Sequence, residues 1–344
     1  MGVVLTSLST GLSAQAVSMT SIWIDNPGAR PRYRAECPVL WRSPGIAQLG
    51  EGRLYRVIAL DQASAQWLLA LNGLSTVDQL MEQFADRELE ATRAWNLLRM
   101  AAQIGAVDDA SAMPEVWRLI STADRDRAAP DHAAALLTLG DGRLADQALN
   151  LRHRTTYAIT GAGQLSHSDV LAEATDLAMS AAGLTRSTDP QQADLLVVLG
   201  LHPVIGAEVA AMELQQPAGP HLFVAAYGDR AVAGPLVIPG QTSCLRCSYL
   251  HTRDADPHWA GVSMQLHSSI SRLAQIPVDR LLAQLVAVQA ARLARSWVDS
   301  SVVVGKWRDR AYEIRLPEGA VEEHARPAHA LCECQWLMQP AVAG

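Results

Sequence analysis

Two cysteine pairs carry the clearest chemistry in this 344-residue sequence. Cys244-x-x-Cys247 lies in PGQTSCLRCSYLHTRDADPHW, which begins at Pro239, and Cys332-x-Cys334 lies close to the C-terminal end. Thiolates are soft ligands, and four of them in two tight turns complete a tetrahedral zinc shell with no open position, the composition of a structural site. About 85 residues separate Cys247 from Cys332, so a shared ion would staple the tail onto its domain. Chance pairing and a redox Cys-x-x-Cys stay open beside this reading. A redox pair normally sits at a helix N-terminus, which lowers the thiol pKa. Here the pair follows a strand-like run and the Pro239-Gly240 turn, which argues against it. His251, His258 and His329 stand near the pairs, as alternative ligands or as ordinary hydrogen-bonded polar residues. Cys37 is alone and reads as a core residue. An odd cysteine count with tight spacing fits a reducing, cytoplasmic location better than a disulfide framework.

The second candidate is GAGQLS, where Gly161 and Gly163 follow a strand-like run and precede a helical one. That is the place for a phosphate at a helix N-terminus. The third glycine position holds Ser166, and the nearest ribose-binding acid is Asp189 in the turn-like STDP. ATP binding is therefore not expected. No catalytic residue is assigned: no Ser/His/Asp order, P-loop or carboxylate pair stands out, and Asp254 and Asp256 read as a solvated turn.

These groups need a scaffold. Hydrophobic residues make up 49% and charged residues 18%, enough apolar material for a sizeable core. The formal net charge is −7, and Lys306 is the only lysine, which opposes nucleic-acid binding and polybasic membrane contact. No run approaches the roughly 18–20 apolar residues that span a bilayer. The N-terminus lacks the basic region of a secretory signal, and a loose myristoylation pattern at Gly2 and Thr6 reads as coincidence. Residues 1–35 read as a flexible lead-in. Over 36–110, PVLWRSPGIAQLG and RLYRVIAL alternate like a β-ribbon. Three helices follow: SAQWLLALNG ending at Asn72-Gly73, STVDQLMEQF opening on a Ser75-Thr76 cap, and EATRAWNLLRMAAQIG with Ala91, Trp95, Leu98 and Ala102 at helical spacing. AVDD adds a short strand. This order predicts a winged helix. Nine acids against six arginines between residues 38 and 110 would steer it poorly to DNA. Residues 111–150 read as a polar linker and a helix. Residues 151–344 alternate strands and helices, predicting a mostly parallel α/β sheet of Rossmann type. Within it, ADLLVVLGLHP reads as a buried strand, HLFVAAYGDRAVAGPLVIPG as a strand pair, and SVVVGKW with RAYEIRL as an antiparallel pair.

Several blocks now join into one pattern: Gly234-Pro235-Leu236-Val237, Pro239-Gly240, Cys244, Cys247, Asp256-Pro257, Trp259, Cys332, Cys334 and Trp336. Over about residues 150–340 the chain resembles the ThiF/MoeB-like (ubiquitin-activating-like) superfamily. Within it, the chain resembles the cyclodehydratase-type or Ocin-ThiF-like branch associated with thiazole/oxazole-modified peptides. Residues 38–110 resemble the PqqD-like recognition domain that binds the leader of a ribosomal precursor peptide. Adenylating members of the superfamily carry a full GxGxxG, a ribose-binding acid, an Asn-x-x-Arg-Gln stretch and an Asp near the α-phosphate; here only Gly161 and Gly163 remain.

The resemblance therefore implies a non-catalytic adaptor that recruits a leader peptide to a modifying enzyme such as a YcaO-type cyclodehydratase, with structural Zn²⁺ and the homodimer usual in the superfamily. The leader would add a strand along Arg53–Leu60 and lie against Trp95 and Arg99, with Arg53, Arg56 and Arg99 suited to acidic residues. One alternative is an active adenylyltransferase using ATP and Mg²⁺ on a C-terminal carboxylate. A third reading is a winged-helix DNA-binding regulator.

Overall fold

The structure, a computed structural model, describes residues 22–51, 55–84, 88–112, 114–139, 142–161, 169–215, 219–273, 275–302 and 305–334. Arg53, Gly163, Ser166 and Trp336 lie outside the described residues. The chain divides into two compact units, Met1–Gln147 and Ala148–Gly344, with the division inside one helix.

In the first unit, β1 (Pro31–Tyr33) is followed by the meander β2 (Val39–Ser43), β3 (Ile46–Leu49) and β4 (Arg56–Ala59). The helices α1 (Gln62–Leu69), α2 (Val77–Glu82) and α3 (Glu88–Gln103) come next, and β5 (Val107–Asp109) pairs antiparallel with β1. Residues 22–35, read as part of a flexible lead-in, carry ordered elements. Ile22–Asp25 forms a 3-10 turn whose Ile24 is in the core, and Pro31–Tyr33 is a paired strand.

Local chemistry sets the helix ends. Asp61 caps α1 by accepting from the Ser64 amide, and Thr76 and Gln79 form a reciprocal capping box on α2. The first helix stops at Leu69, before the expected Asn72-Gly73. On α3, Ala94, Leu97, Leu98, Ala101 and Ala102 recur at helical spacing and are buried, the last four in the same core as Ala47 and Leu49 of β3. Trp95 is only half-buried beside that stripe. Beyond β5 come α4 (Glu115–Leu119), α5 (Thr122–Leu139) and α6 (Gly142–Arg154), so the stretch read as linker plus helix is mostly helical.

The second unit is built on one sheet. Its strands are β6 (Thr156–Gly161), β7 (Thr185–Arg186), β8 (Leu195–Gly200), β9 (His221–Tyr227), β10 (Arg230–Val237), β11 (Arg310–Arg315) and β12 (Ala320–Ala325). Between them run α7 (Asp169–Ala181), α8 (Ala207–Gln215), α9 (Leu245–Ala255), α10 (Trp259–Ile270) and α11 (Arg280–Val298). The order across the sheet is β12-β11-β10-β9-β8-β6-β7. Pairing is parallel from β7 to β9 and antiparallel from β9 to β12.

Both faces of the central strands are covered, and the sequence alternates accordingly. Leu222, Val224 and Ala226 of β9 join the core beneath α7 and α11, while Phe223 and Ala225 face the core with Val209 of α8 and Leu245 of α9. Each such side chain contributes about 1.5–3 kcal/mol by leaving water. The predicted pairing of SVVVGKW with RAYEIRL is corrected: β11 pairs with β10 on one side and β12 on the other. The stretch before it includes a 3-10 turn at Asp299–Ser301, and Trp307 anchors it by burial in the core.

Gly234 explains part of the Gly-Pro-Leu-Val block. Its φ is +100°, the register of β10 against β9 shifts just there, and a Cβ would stand 2.6 Å from the Arg310 carbonyl oxygen. Gly234→Ala is therefore expected to destabilise the second unit by about 2–4 kcal/mol, from the left-handed backbone and the clash together. Urea unfolding reads this as a lower midpoint at unchanged slope; an unaltered midpoint would contradict the assignment.

Candidate metal centre

β10 ends at Val237, and the turn through Pro239-Gly240 delivers the chain directly into α9. Thr242 steadies the turn, its hydroxyl accepting from the Ile238 amide at 2.8 Å, and the Ser243 amide donates to the Asp309 carboxylate at 2.7 Å. Cys244 is then the N-cap residue of α9, and Cys247 lies in its first turn. This corrects the sequence argument against a redox pair: Cys244 does stand at a helix N-terminus. The redox reading is opposed instead by the second pair, which tertiary structure brings alongside.

The sulfurs of Cys244 and Cys247 are 3.6 Å apart, those of Cys244 and Cys332 3.5 Å, and those of Cys247 and Cys334 3.3 Å. All four lie within 4.8 Å of one another, and all four are free thiols. Disulfide sulfurs would be about 2.05 Å apart. A tetrahedron of sulfurs at about 2.3 Å from a zinc ion has edges of about 3.8 Å, close to these separations. The donor set thus fits a zinc ion and closes its shell, which supplies a cross-link and no open position for substrate.

Charge favours a cation here. A hydrogen bond from Cys244 holds the Cys247 thiol down to about 5, whereas burial pushes Cys334 up to about 12. The Cys247 proton leaves readily, and further negative charge at Cys334 needs a cation to offset it. Cys247 and Cys332 sit with Leu250 in a small apolar cluster that excludes water from the sulfurs.

The nearby histidines hold the frame. His329 Nδ1 accepts from the Leu331 amide at 3.1 Å, leaving Nε2 to donate to Asp254 at 2.8 Å, so both ring nitrogens are used. Its carbonyl accepts from the Cys332 amide at 2.9 Å, and its own amide reaches the Cys247 sulfur. His251 donates to the Pro327 carbonyl at 3.1 Å and meets the His329 ring edge-on. His258 is exposed, and its amide donates to Asp256 at the entry to α10. Asp254, expected in a solvated turn, is instead the partner of His329, whose hydrogen bond holds its carboxyl below the usual range. The 75 positions between these two residues explain why no spacing signal revealed the pair. Asp256 and Trp259 have structural work too: the Trp259 indole is buried and donates to the Ile205 carbonyl at 3.1 Å.

The strand ends that would hold a nucleotide look different. The chain leaves β6 for β7 on one side and returns to β8 on the other, so the topological switch lies between β6 and β8. Gly161, at the end of β6, is opposite Leu199. A small depression there is lined by Leu171, Leu199, Gly200, Leu201, Ala226, Ile276 and Val278, all apolar. Asp189 is committed to a local turn, accepting from the Gln191 amide at 2.9 Å. His202, next along the chain, has its pKa lowered by burial and accepts from the Val204 amide, so its ring is neutral.

In the first unit, Trp95 and Arg99 lie one turn apart on α3, with the guanidinium 6.0 Å from the ring centroid. Arg99 also reaches Asp25 at 3.8 Å. Arg56 opens β4, and its side chain bends back to the Tyr55 carbonyl at 3.3 Å. The structure brings Trp95 and Arg99 together and leaves Arg56 on the separate β4 edge.

About one zinc per chain is expected in the purified protein, falling below half an equivalent in Cys244→Ser, with a lower unfolding midpoint. Zinc binding should weaken steadily as pH falls below neutrality, since each protonated thiol, Cys334 above all, must shed a proton to bind. Metal analysis and competition with a chelator at each pH check both; a zinc content equal in parent and variant would oppose the site.

No protein-family model matches this sequence, and no curated protein matches it. Solved structures do. A heterocyclase in complex with substrate and cofactor aligns with a TM-score of 0.63 at 19% identity, covering 89% of this chain and 39% of that one. The heterocyclase TruD aligns with a TM-score of 0.63 at 21% identity, covering 89% and 42%. E. coli MccB, solved with AMPCPP and MccA, aligns with a TM-score of 0.54 at 12% identity, covering 89% and 99%. The chain spans about two-fifths of the length of the two heterocyclases. At these identities the likeness is one of architecture: the chain has the fold shared by these heterocyclases and MccB.

Proposed function

We propose that this chain is a ThiF-like, zinc-stapled adaptor that binds a precursor peptide and presents it to a separate modifying enzyme, such as a YcaO-type cyclodehydratase. The observation that carries this reading is the apolar character of the switch point. A nucleoside triphosphate needs cations or aimed amides around its phosphates. Among the described residues, the side chains that line the depression, Leu171, Leu199, Leu201, Ile276 and Val278, offer no cation. The solved heterocyclase and MccB complexes hold substrate or MccA, which makes a peptide the natural ligand class for this architecture.

The peptide is assigned to the first unit, read as a PqqD-like winged helix, through strand addition at β4. Of the two edges of the β2-β3-β4 sheet, β2 has a register shift between Trp41 and Ser43, an irregularity that discourages pairing. β4 runs in unbroken register with β3. The Leu60 amide donates to the Gly45 carbonyl, so by antiparallel alternation Ile58 and Arg56 bond to β3 while Val57 and Ala59 face the open edge. Arg56 beside that edge suits an acidic residue, and Trp95 with Arg99 supplies an apolar and cationic surface on α3.

A second reading, ATP-dependent adenylation of a peptide carboxylate, is favoured by the match to nearly the whole of MccB, solved with AMPCPP. Pyrophosphate exchange with ATP separates the two: the adaptor gives no exchange with or without peptide, and exchange above background would establish the enzyme. For the peptide edge, Val57→Pro removes an outward amide without breaking a bond to β3. Its affinity for a labelled precursor peptide encoded beside its gene should fall at least about tenfold with an unchanged unfolding midpoint. Equal affinity in parent and variant would move the peptide off β4.

A further inference from the structure

The antiparallel half of the sheet carries a charge cluster that the adaptor reading does not use. On one face of β10, β11 and β12 stand Arg230, Glu313, Arg315, Glu322, His324 and Arg326, by strand alternation and register. Glu313 is its centre and is only 5% exposed. Its Oε1 accepts from Arg230 Nε at 2.9 Å and lies 2.6 Å from Arg315, while its Oε2 accepts from Arg230 at 2.7 Å. Burial pushes the Glu313 carboxyl up, but Arg230, Arg315 and His324 outweigh it and keep it ionised.

Arg326 is left over. Its backbone is clamped, the amide donating to the Asp309 carbonyl at 2.6 Å and the carbonyl accepting from the Ser243 hydroxyl. Its guanidinium has one long contact, 3.5 Å to the Ala325 carbonyl, and no carboxylate within ion-pair distance among the described residues. It nevertheless lies close enough to Glu313 and Arg230 to feel both charges, in surroundings desolvated enough to lower its pKa. A guanidinium has five donors and does not deprotonate in proteins. Leaving it partly buried without an anion is costly. The neighbouring His324 Nε2 is likewise buried without a hydrogen-bond partner, 3.9 Å from Glu313 and 3.7 Å from Glu322. Two unsatisfied polar groups thus flank a carboxylate whose oxygens are already engaged.

We propose that this face is an oxyanion-binding site, in which Arg326, with His324 two positions before it on the same face as a further donor, takes a carboxylate or phosphate group. Both groups match the planar fork of arginine, and β12 is the outer strand of the sheet, so the anion can arrive from solvent. A carboxylate would come from an acidic peptide or protein segment, a phosphate from a free ion or phosphorylated ligand.

The test uses the full chain and two probes, inorganic phosphate and acetyl-tetraglutamate, each at about 10 mM against sodium chloride of equal ionic strength. The parent's thermal midpoint should rise by at least about 2 °C with one or both probes relative to chloride. A response to tetraglutamate but not to its glutamine counterpart identifies the carboxylate source; a response to phosphate alone identifies the other. In Arg326→Gln the specific rise should vanish, while the midpoint in anion-free buffer stays equal or increases, because a desolvated cation has been removed. Phosphate also stabilises proteins by exclusion from their surface, so the difference between parent and variant is the readout. His324→Gln, at the second donor, should reduce the response and gives a second, mild variant. No rise above chloride in the parent, the same rise in both variants, or an Arg326→Gln loss that no anion modulates would overturn the proposal.

Discussion

Burial of β8 and β9 on both faces is the constraint from which the second unit follows. A strand covered on two sides must be apolar at every position, as Leu195–Gly200 nearly is, and it cannot reach water with its backbone. Its carbonyls and amides are therefore satisfied by parallel neighbours, and helices must close each face. The helices α7 and α11 do so on one side through Met179, Val286 and Ala290; α8 and α9 do so on the other through Val209 and Leu245. Because Leu245 is the first residue of α9 and lies in that core, the preceding residue is placed with it. The position of Cys244 is a consequence of sheet packing.

The metal centre and the charge cluster both exploit the antiparallel extension. The hairpin of β11 and β12 directs the chain after Ala325 back toward α9, where Arg326, Pro327 and His329 meet Ser243, His251 and Asp254. A metal held by the four cysteines would act on the same tail as these hydrogen bonds. The hydrogen bonds orient the loop, and a closed thiolate shell locks it. Among the described residues, the depression at the topological switch is lined by leucine, isoleucine, valine, alanine and glycine, while the charged groups around Glu313 lie on β10, β11 and β12.

In the first unit, β4 has no partner among the described residues on one side and runs in continuous register with β3 on the other. Its outer sheet face also exposes Leu40, Ile46 and Val57. An edge of this kind invites pairing, and natural proteins usually blunt it with charge, bulge or cover. Arg56 is the one charged residue on β4, and the register shift protects only β2.

Period and composition determined much of this protein by themselves. The alternation in HLFVAAY, the helical stripe through Leu98 and Ala102, the Thr76 cap and the Cys-x-x-Cys pair are local, because backbone geometry and side-chain spacing act within a few residues. Tertiary structure decided what depends on distant partners. It chose β10 and β12 for β11, where the sequence had offered SVVVGKW, and buried Trp307 of that stretch in the core. It put Cys244 at a helix N-terminus and then set Cys332 beside it, 3.5 Å away across 88 positions. It also joined His329 to Asp254 and stranded Arg326 near Glu313. Long-range pairings such as these follow from which surfaces a folded sheet brings together, and no spacing along the chain encodes that.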